Sequence, residues 1–222
     1  VINFPIFSFS RRLFSSYLFW SFFFFFIFLG LGIYLSVGYY LPGQDQIITA
    51  GIQDWKNPLI TKIFSVFNYF GHWSIILLFS FFLLVAGEIL RQRRKIHLFL
   101  LAVVLTLGVS EIAKYLFQRS RPDLNLALIS AQGYSFPSNH AVIAVVFYGL
   151  LSYFLFQFLK REWLKKILIL SLAILVFLIG GARIYLGAHW FSDVIGGWSL
   201  GLSLLILFLG FYQRWKKPIL KF

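Results

Sequence analysis

The chain has 222 residues, of which 60% are hydrophobic, 21% aromatic and only 12% charged, with a formal net charge of +13. Soluble domains carry roughly 45–50% apolar and roughly 25% charged residues, so this composition excludes both a disordered chain and an ordinary water-soluble domain. Cysteine is absent, which excludes a disulfide framework, a thiolate metal site and a cysteine nucleophile.

Apolar runs of about 20 residues, the length needed to cross a hydrocarbon core, recur along the chain. In order, the predicted spans are Tyr17–Tyr40, Trp73–Leu90, Ile96–Phe117, Ser138–Leu159, Trp163–Gly181 and Trp190–Phe211. They predict an all-α bundle of six transmembrane helices, one integral-membrane domain over residues 1–222. The first run is too long for a signal-peptide core and no small-x-small cleavage site follows it, so a retained span is expected. Phe22–Phe26 reads as lipid-facing or packing bulk. The long connection Leu41 to His72 holds two amphipathic stretches, Asp45–Lys56 and Leu59–Phe70. Both are expected along the interface, with Trp55, Tyr69 and Trp73 at headgroup depth.

The basic residues orient these spans. Arg11 and Arg12 precede the first; Arg91, Arg93, Arg94 and Lys95 join the second to the third. Lys160, Arg161, Lys165 and Lys166 join the fourth to the fifth, and Arg214, Lys216, Lys217 and Lys221 follow the sixth. The positive-inside rule makes that side cytoplasmic, with both termini inside. Dispersal of the charge among short loops argues against nucleic acid as a partner. Of the six remaining cations, Lys56, Lys62, Lys114, Arg119, Arg121 and Arg183, four gather at the outer face.

Three outer segments carry the polar residues that need a reason. Lys114 and Arg121, in Lys114-x6-Arg121-Pro122, are two helical turns apart and can share a face, with Pro122 helping to end the helix. Alone, the pair reads either as headgroup snorkelling or as a clamp on an anion. In Pro137-Ser138-Asn139-His140, Ser138 is an N-cap candidate, leaving helix-terminal N–H groups to meet an anion; alone, this is equally a capped helix with an interfacial histidine. His189 and Asp193 are four apart, so a carboxylate can fix the tautomer of an imidazole. Two histidines, an aspartate and three cations on one face are much harder to read as structural, and ionisable groups at membrane depth are functional candidates.

Together these segments resemble the signature of the type 2 phosphatidic acid phosphatase family: Lys-x6-Arg-Pro, then Pro-Ser-Gly-His, then Ser-Arg-x5-His-x3-Asp. The motifs cover Lys114 to Asp193, and Asn139 and Ala182 replace the usual Gly and Ser. The resemblance implies that His189 attacks phosphorus to form a phosphohistidine, Asp193 orients it, and His140 protonates the leaving group. Lys114, Arg121 and Arg183 then hold the phosphoryl oxygens, helped by Ser138 and Asn139. Three fixed cations suit phosphoryl transfer without a metal, so neither metal nor cofactor is expected. Glu111 is expected to be a buried partner of Lys114, Arg119 to touch a headgroup or the lipid surface, and Tyr115 and Trp190 to belong to the aromatic belt. Gly197 and Gly201 are expected to bring two helices close.

The implied substrate is a membrane lipid phosphate or diphosphate whose chain stays in the bilayer while its headgroup reaches the outer face of a bacterial plasma membrane. Undecaprenyl diphosphate, phosphatidylglycerol phosphate and phosphatidate all fit, and the motifs neither choose among them nor set an oligomeric state. A phosphotransferase, or a non-catalytic protein that binds or transports lipid phosphate, remains the alternative. Binding alone, however, needs the cations and neither imidazole.

Overall fold

Eight helices account for the regular structure of the computed structural model, which describes residues 6–37, 42–122 and 127–215; among these residues there is no strand. They are α1 (Ile6–Ser36), α2 (Pro42–Gln53), α3 (Pro58–Phe70), α4 (Trp73–Ile89), α5 (Arg93–Phe117), α6 (Asn139–Phe156), α7 (Glu162–Tyr185) and α8 (Phe191–Trp215). Five are long and apolar enough to cross a membrane, and α3 and α4, bent by 49° at their junction, make a sixth if the pair is one span. The helix expected as the second span is α4, of 17 residues, which the chain enters from α3 across that bend. The break falls at Gly71 and His72, where the His72 imidazole caps α4 by accepting from the Ser74 N–H.

α6 is the centre of the bundle. Its sequence is apolar all round, the pattern of a helix buried on every side, and Ala141 to Tyr148 are all buried. It meets α8 at glycines: a Cβ on Gly197 would stand 2.9 Å from the Ser138 carbonyl, and one on Gly201 would stand 2.9 Å from that of Val142. The small-residue pair expected from sequence thus sets this contact. α1 lies antiparallel on α8 through Ser21, whose hydroxyl donates to the Ser203 carbonyl (2.9 Å), while Phe22, Phe23 and Phe26 stay exposed on its outer side.

α3 packs its Ile60, Phe64 and Phe67 against Ala182, Tyr185 and Leu186 of α7, so this stretch is part of the bundle wall. Trp55, Tyr69 and Trp73 are exposed. Arg91, Arg93, Lys95, Lys160 and Arg161 flank the C-terminal ends of α4 and α6 and the N-terminal ends of α5 and α7, with Lys165 and Lys166 in the first turns of α7. The motif residues gather at the opposite end. Tyr40, Lys216, Lys217 and Lys221 lie outside the described residues.

Candidate active site

α5 ends at Phe117 because Gln118 turns into the left-handed region (φ +46°) and its N–H closes on the Lys114 carbonyl. Lys114 and Arg121 are therefore not two turns of one helix, and Pro122 does not end it. Lys114 points back from the last turn and is buried, its Nζ donating to the Tyr134 carbonyl (2.9 Å). Arg121 reaches the same place from the loop. Its Nη1 donates to the Ala188 carbonyl (2.7 Å), its Nε to Gly133 (3.0 Å) and its Nη2 to Gln132 (2.7 Å). Backbone carbonyls thus hold the guanidinium in place.

Ser138 occupies the N-cap of α6 without making a side-chain cap bond, and its buried Oγ has no partner among the described residues. The Nε2 of His140, the second residue of α6, is also buried and unpartnered among the described residues. Arg183, in the last turn of α7, is buried with its Nη1 donating to Asn68 Oδ1 of α3 (2.6 Å) and its Nε unpartnered. Unsatisfied buried donors and acceptors are costly unless something meets them. Two such groups, on His140 and Arg183, line one cavity, with the Ser138 hydroxyl buried beside it, and together they describe a place for a polar ligand.

His189 precedes α8, and Asp193 lies in its first turn. Asp193 Oδ2 accepts from the Trp190 N–H (3.0 Å) and faces His189 Nδ1 at 3.3 Å. On the other side of the ring, Arg121 Nη1 lies 3.2 Å from His189 Nε2. A guanidinium only donates, so Nε2 carries the lone pair and Nδ1 the proton. Burial first, then the cations Arg183, Arg121 and Lys114, push the His189 pKa well below its usual value. The imidazole is neutral at physiological pH, the state a nucleophile needs.

Lys114, Arg121, Asn139, His140, Arg183 and His189 line one cavity of about 350 Å³. Ser138 and Asp193 do not line it; they are fully buried beside it. From the cationic end the cavity runs to apolar walls of Trp73, Ile76 and Leu77 of α4, Val103, Val104 and Leu107 of α5, and Ile143 of α6. Ala182, where the family pattern usually has Ser, is fully buried against apolar neighbours such as Phe64.

Two sequence expectations are corrected. Glu111 is exposed rather than buried, and its Oε1 accepts from the Asn139 amide, not from Lys114. Arg119 is not at the lipid surface. Its Nη1 donates to Asp193 Oδ1 (2.5 Å) and its Nη2 to Asp45 Oδ2 (2.6 Å), and its guanidinium lies 5.6 Å from the Trp190 ring. Asp45, nearly buried on α2, also accepts from the Ser192 N–H (3.0 Å) and hydroxyl. Trp190 uses its Nε1 to donate to the Ser120 carbonyl (3.1 Å), so it braces the loop. Tyr115 is exposed at the cavity edge. Sequence reasoning missed Asp45 and Asn68. The available signal was scarcity: with only seven acids in the chain, an aspartate in an outer, cation-bearing region is expected to have a partner.

The PAP2 superfamily pattern matches residues 95–217. Phosphatidylglycerophosphatase B of Bacillus subtilis is 36% identical over 112 residues, 49% of this chain and 54% of that protein. Undecaprenyl-diphosphatase of Sulfolobus acidocaldarius is 30% identical over 119 residues, 51% and 53% of the two. The match thus spans about half the length of these curated relatives. The crystal structure of a transmembrane PAP2-type phosphatidylglycerolphosphate phosphatase from Bacillus subtilis superposes with a TM-score of 0.81 at 27% identity, covering 89% of this chain and 98% of that one. For LpxE of Aquifex aeolicus the TM-score is 0.60 at 26% identity, covering 74% and 93%. With the superfamily pattern running through more than half of its length, and its motif residues drawn to one cavity of an integral-membrane helix bundle, this chain belongs to the PAP2 superfamily.

Proposed function

We propose that the protein hydrolyses a lipid phosphate or diphosphate through a phosphohistidine on His189, with no metal in the reaction. The observation that carries this reading is the placement of a neutral, carboxylate-oriented imidazole and three cations on one cavity with an apolar extension. His189 Nε2 attacks phosphorus as the bond to the leaving oxygen breaks. Arg121, whose Nη1 lies 3.2 Å from His189 Nε2, turns its donation to a phosphoryl oxygen. Lys114, Arg183, Ser138 and the α6 N-terminus at Asn139 and His140 hold the other oxygens. His140 gives its proton to the departing alkoxide or phosphate. It then takes one from water, whose oxygen attacks phosphorus and frees His189. Asp193 keeps the Nδ1 proton aimed at itself throughout and balances the charge that the ring gains.

The apolar walls suit a chain that stays in the bilayer. The basic helix ends opposite the cavity support a cytoplasmic location for that end and an outward-facing site in a bacterial plasma membrane. Phosphatidylglycerol phosphate and undecaprenyl diphosphate, suggested by the names of the relatives, and phosphatidate are the substrates to test. Detergent-solubilised protein is expected to release phosphate from one of them in EDTA. His189→Ala is expected to abolish release and the acid-labile phosphoryl label. A label without net release, discharged by an added alcohol, would instead establish a phosphotransferase.

A further inference from the structure

One stripe of α5 joins the two ends of the cavity. Val103, Val104, Leu107, Glu111 and Lys114 all line it; Leu107, Glu111 and Lys114 follow Val103 and Val104 at steps of three or four, which places them along one face of the helix. The wall therefore runs from apolar to acidic to cationic. Glu111 is the only acid among the described residues that line the cavity. It lies inside a helix that spans the membrane, where an ionisable side chain is costly and marks function.

Its carboxylate is held deliberately. The Ser110 hydroxyl donates to Asn139 Oδ1 (2.5 Å), which turns the Asn139 amide N–H toward Glu111 Oε1. Glu111 makes no other hydrogen bond or ion pair among the described residues, and Lys114 is engaged by the Tyr134 carbonyl. One carboxylate oxygen is fixed and the other is uncommitted. Asn139 stands where the family pattern usually has Gly, and a glycine has no side-chain amide to offer, so this clamp depends on that replacement.

We propose that Glu111, held by Asn139, forms a subsite for the alcohol part of the substrate and selects lipid phosphate monoesters that carry a free hydroxyl beside the phosphate-bearing carbon. This rests on the hydrolytic reading above. With phosphorus at His189 and the lipid chain between the apolar walls, the atoms linking them pass Glu111. A carboxylate accepts a hydrogen bond from a hydroxyl there, a contact strong enough for roughly a ten- to hundredfold preference. A second phosphate in that position meets like charge, which disfavours diphosphates.

The test compares kcat/KM of the full chain in detergent on three probes: 1-oleoyl-glycerol 3-phosphate, oleoyloxypropyl phosphate, which lacks only the hydroxyl, and farnesyl diphosphate. The wild type is expected to favour the first over the second by about tenfold or more. Glu111→Gln is expected to shrink that ratio to about threefold or less and to raise farnesyl diphosphate turnover, relative to the hydroxyl-free monoester, about tenfold. Asn139→Gly, which frees the carboxylate, is expected to fall between them. Unchanged ratios in a folded Glu111→Gln variant overturn the subsite. If that variant fails to fold, a wild-type ratio near one overturns it instead. Turnover by His189→Ala would sink the phosphohistidine reading while the two probe ratios still decide on Glu111.

Discussion

Arg119 Nη1 lies 2.5 Å from Asp193 Oδ1, on the carboxylate oxygen that His189 does not use. The two oxygens of Asp193 are thus divided, one for the arginine and one for the imidazole and the Trp190 N–H. Arg119 alone would draw charge from Asp193 and weaken its hold on a protonated ring. Asp45 offsets this from the far side of the guanidinium.

The relay has a signature in pH. On the proposed mechanism His189 attacks only when neutral, and burial, with Arg183, Arg121 and Lys114, holds its pKa well below the usual value; the acid limb of kcat/KM is therefore expected well below pH 6.5. The charged groups around the ring are those three cations, Asp193, and Arg119 and Asp45 behind it, with His140 and Glu111 on the cavity. Arg119→Gln removes a cation, so the His189 pKa rises and the limb moves to higher pH. Asp45→Asn removes an anion, so the limb moves to lower pH. Opposite displacements of roughly half a unit are expected in a pH–rate profile. A lower plateau with both limbs unmoved would leave the pair a purely structural role.

Asn68→Ala is expected to loosen Arg183. The side-chain oxygen of Asn68 accepts from the guanidinium of Arg183, a residue only 6% exposed, and leaving that N–H unmet costs about 1–3 kcal/mol. KM for the lipid phosphate should rise more than kcat falls, with a lower unfolding temperature in detergent. An unchanged KM would show that Arg183 does not depend on α3.

Ser138→Ala separates folding from function. The Ser138 hydroxyl has no partner within the described residues, so its removal is expected to leave thermal stability unchanged or raised. If it meets a phosphoryl oxygen, kcat/KM falls by about tenfold or more. Loss of stability at full activity would place it in the fold instead.

Gly201→Ala probes the α6–α8 contact away from the cavity. The added Cβ would sit 2.8 Å from Val145 Cβ and 2.9 Å from the Val142 carbonyl, so the helices must part. Overpacking of this kind costs about 1–3 kcal/mol, roughly 2–4 °C per kcal/mol for a chain of this size. A melting curve in detergent checks it.

The spans were legible because hydropathy is a local property, and the three motif segments because their spacing is local too. What was illegible depends on how separate helices meet. Arg119 reads as a surface cation until α2 brings Asp45 to it across 74 positions. Asn68 reads as one polar residue of an interfacial helix until α3 lies on α7 and reaches Arg183 across 115. The helix end reads as Pro122, a local stop signal, whereas the chain turns four residues earlier at Gln118. Glu111 was assigned to its neighbour in sequence, Lys114, when its partner comes from the next helix.

Asp45 and Asn68 both precede residue 95, where the superfamily match begins. A fragment cut there would retain the whole signature, yet strip Arg119 of one of its two carboxylate partners and the buried Arg183 of its acceptor. Possession of the motifs is therefore not the same as possession of a working enzyme. Transplanting the matched segment into another scaffold should succeed only when the two keystones from the first third of the polypeptide travel with it.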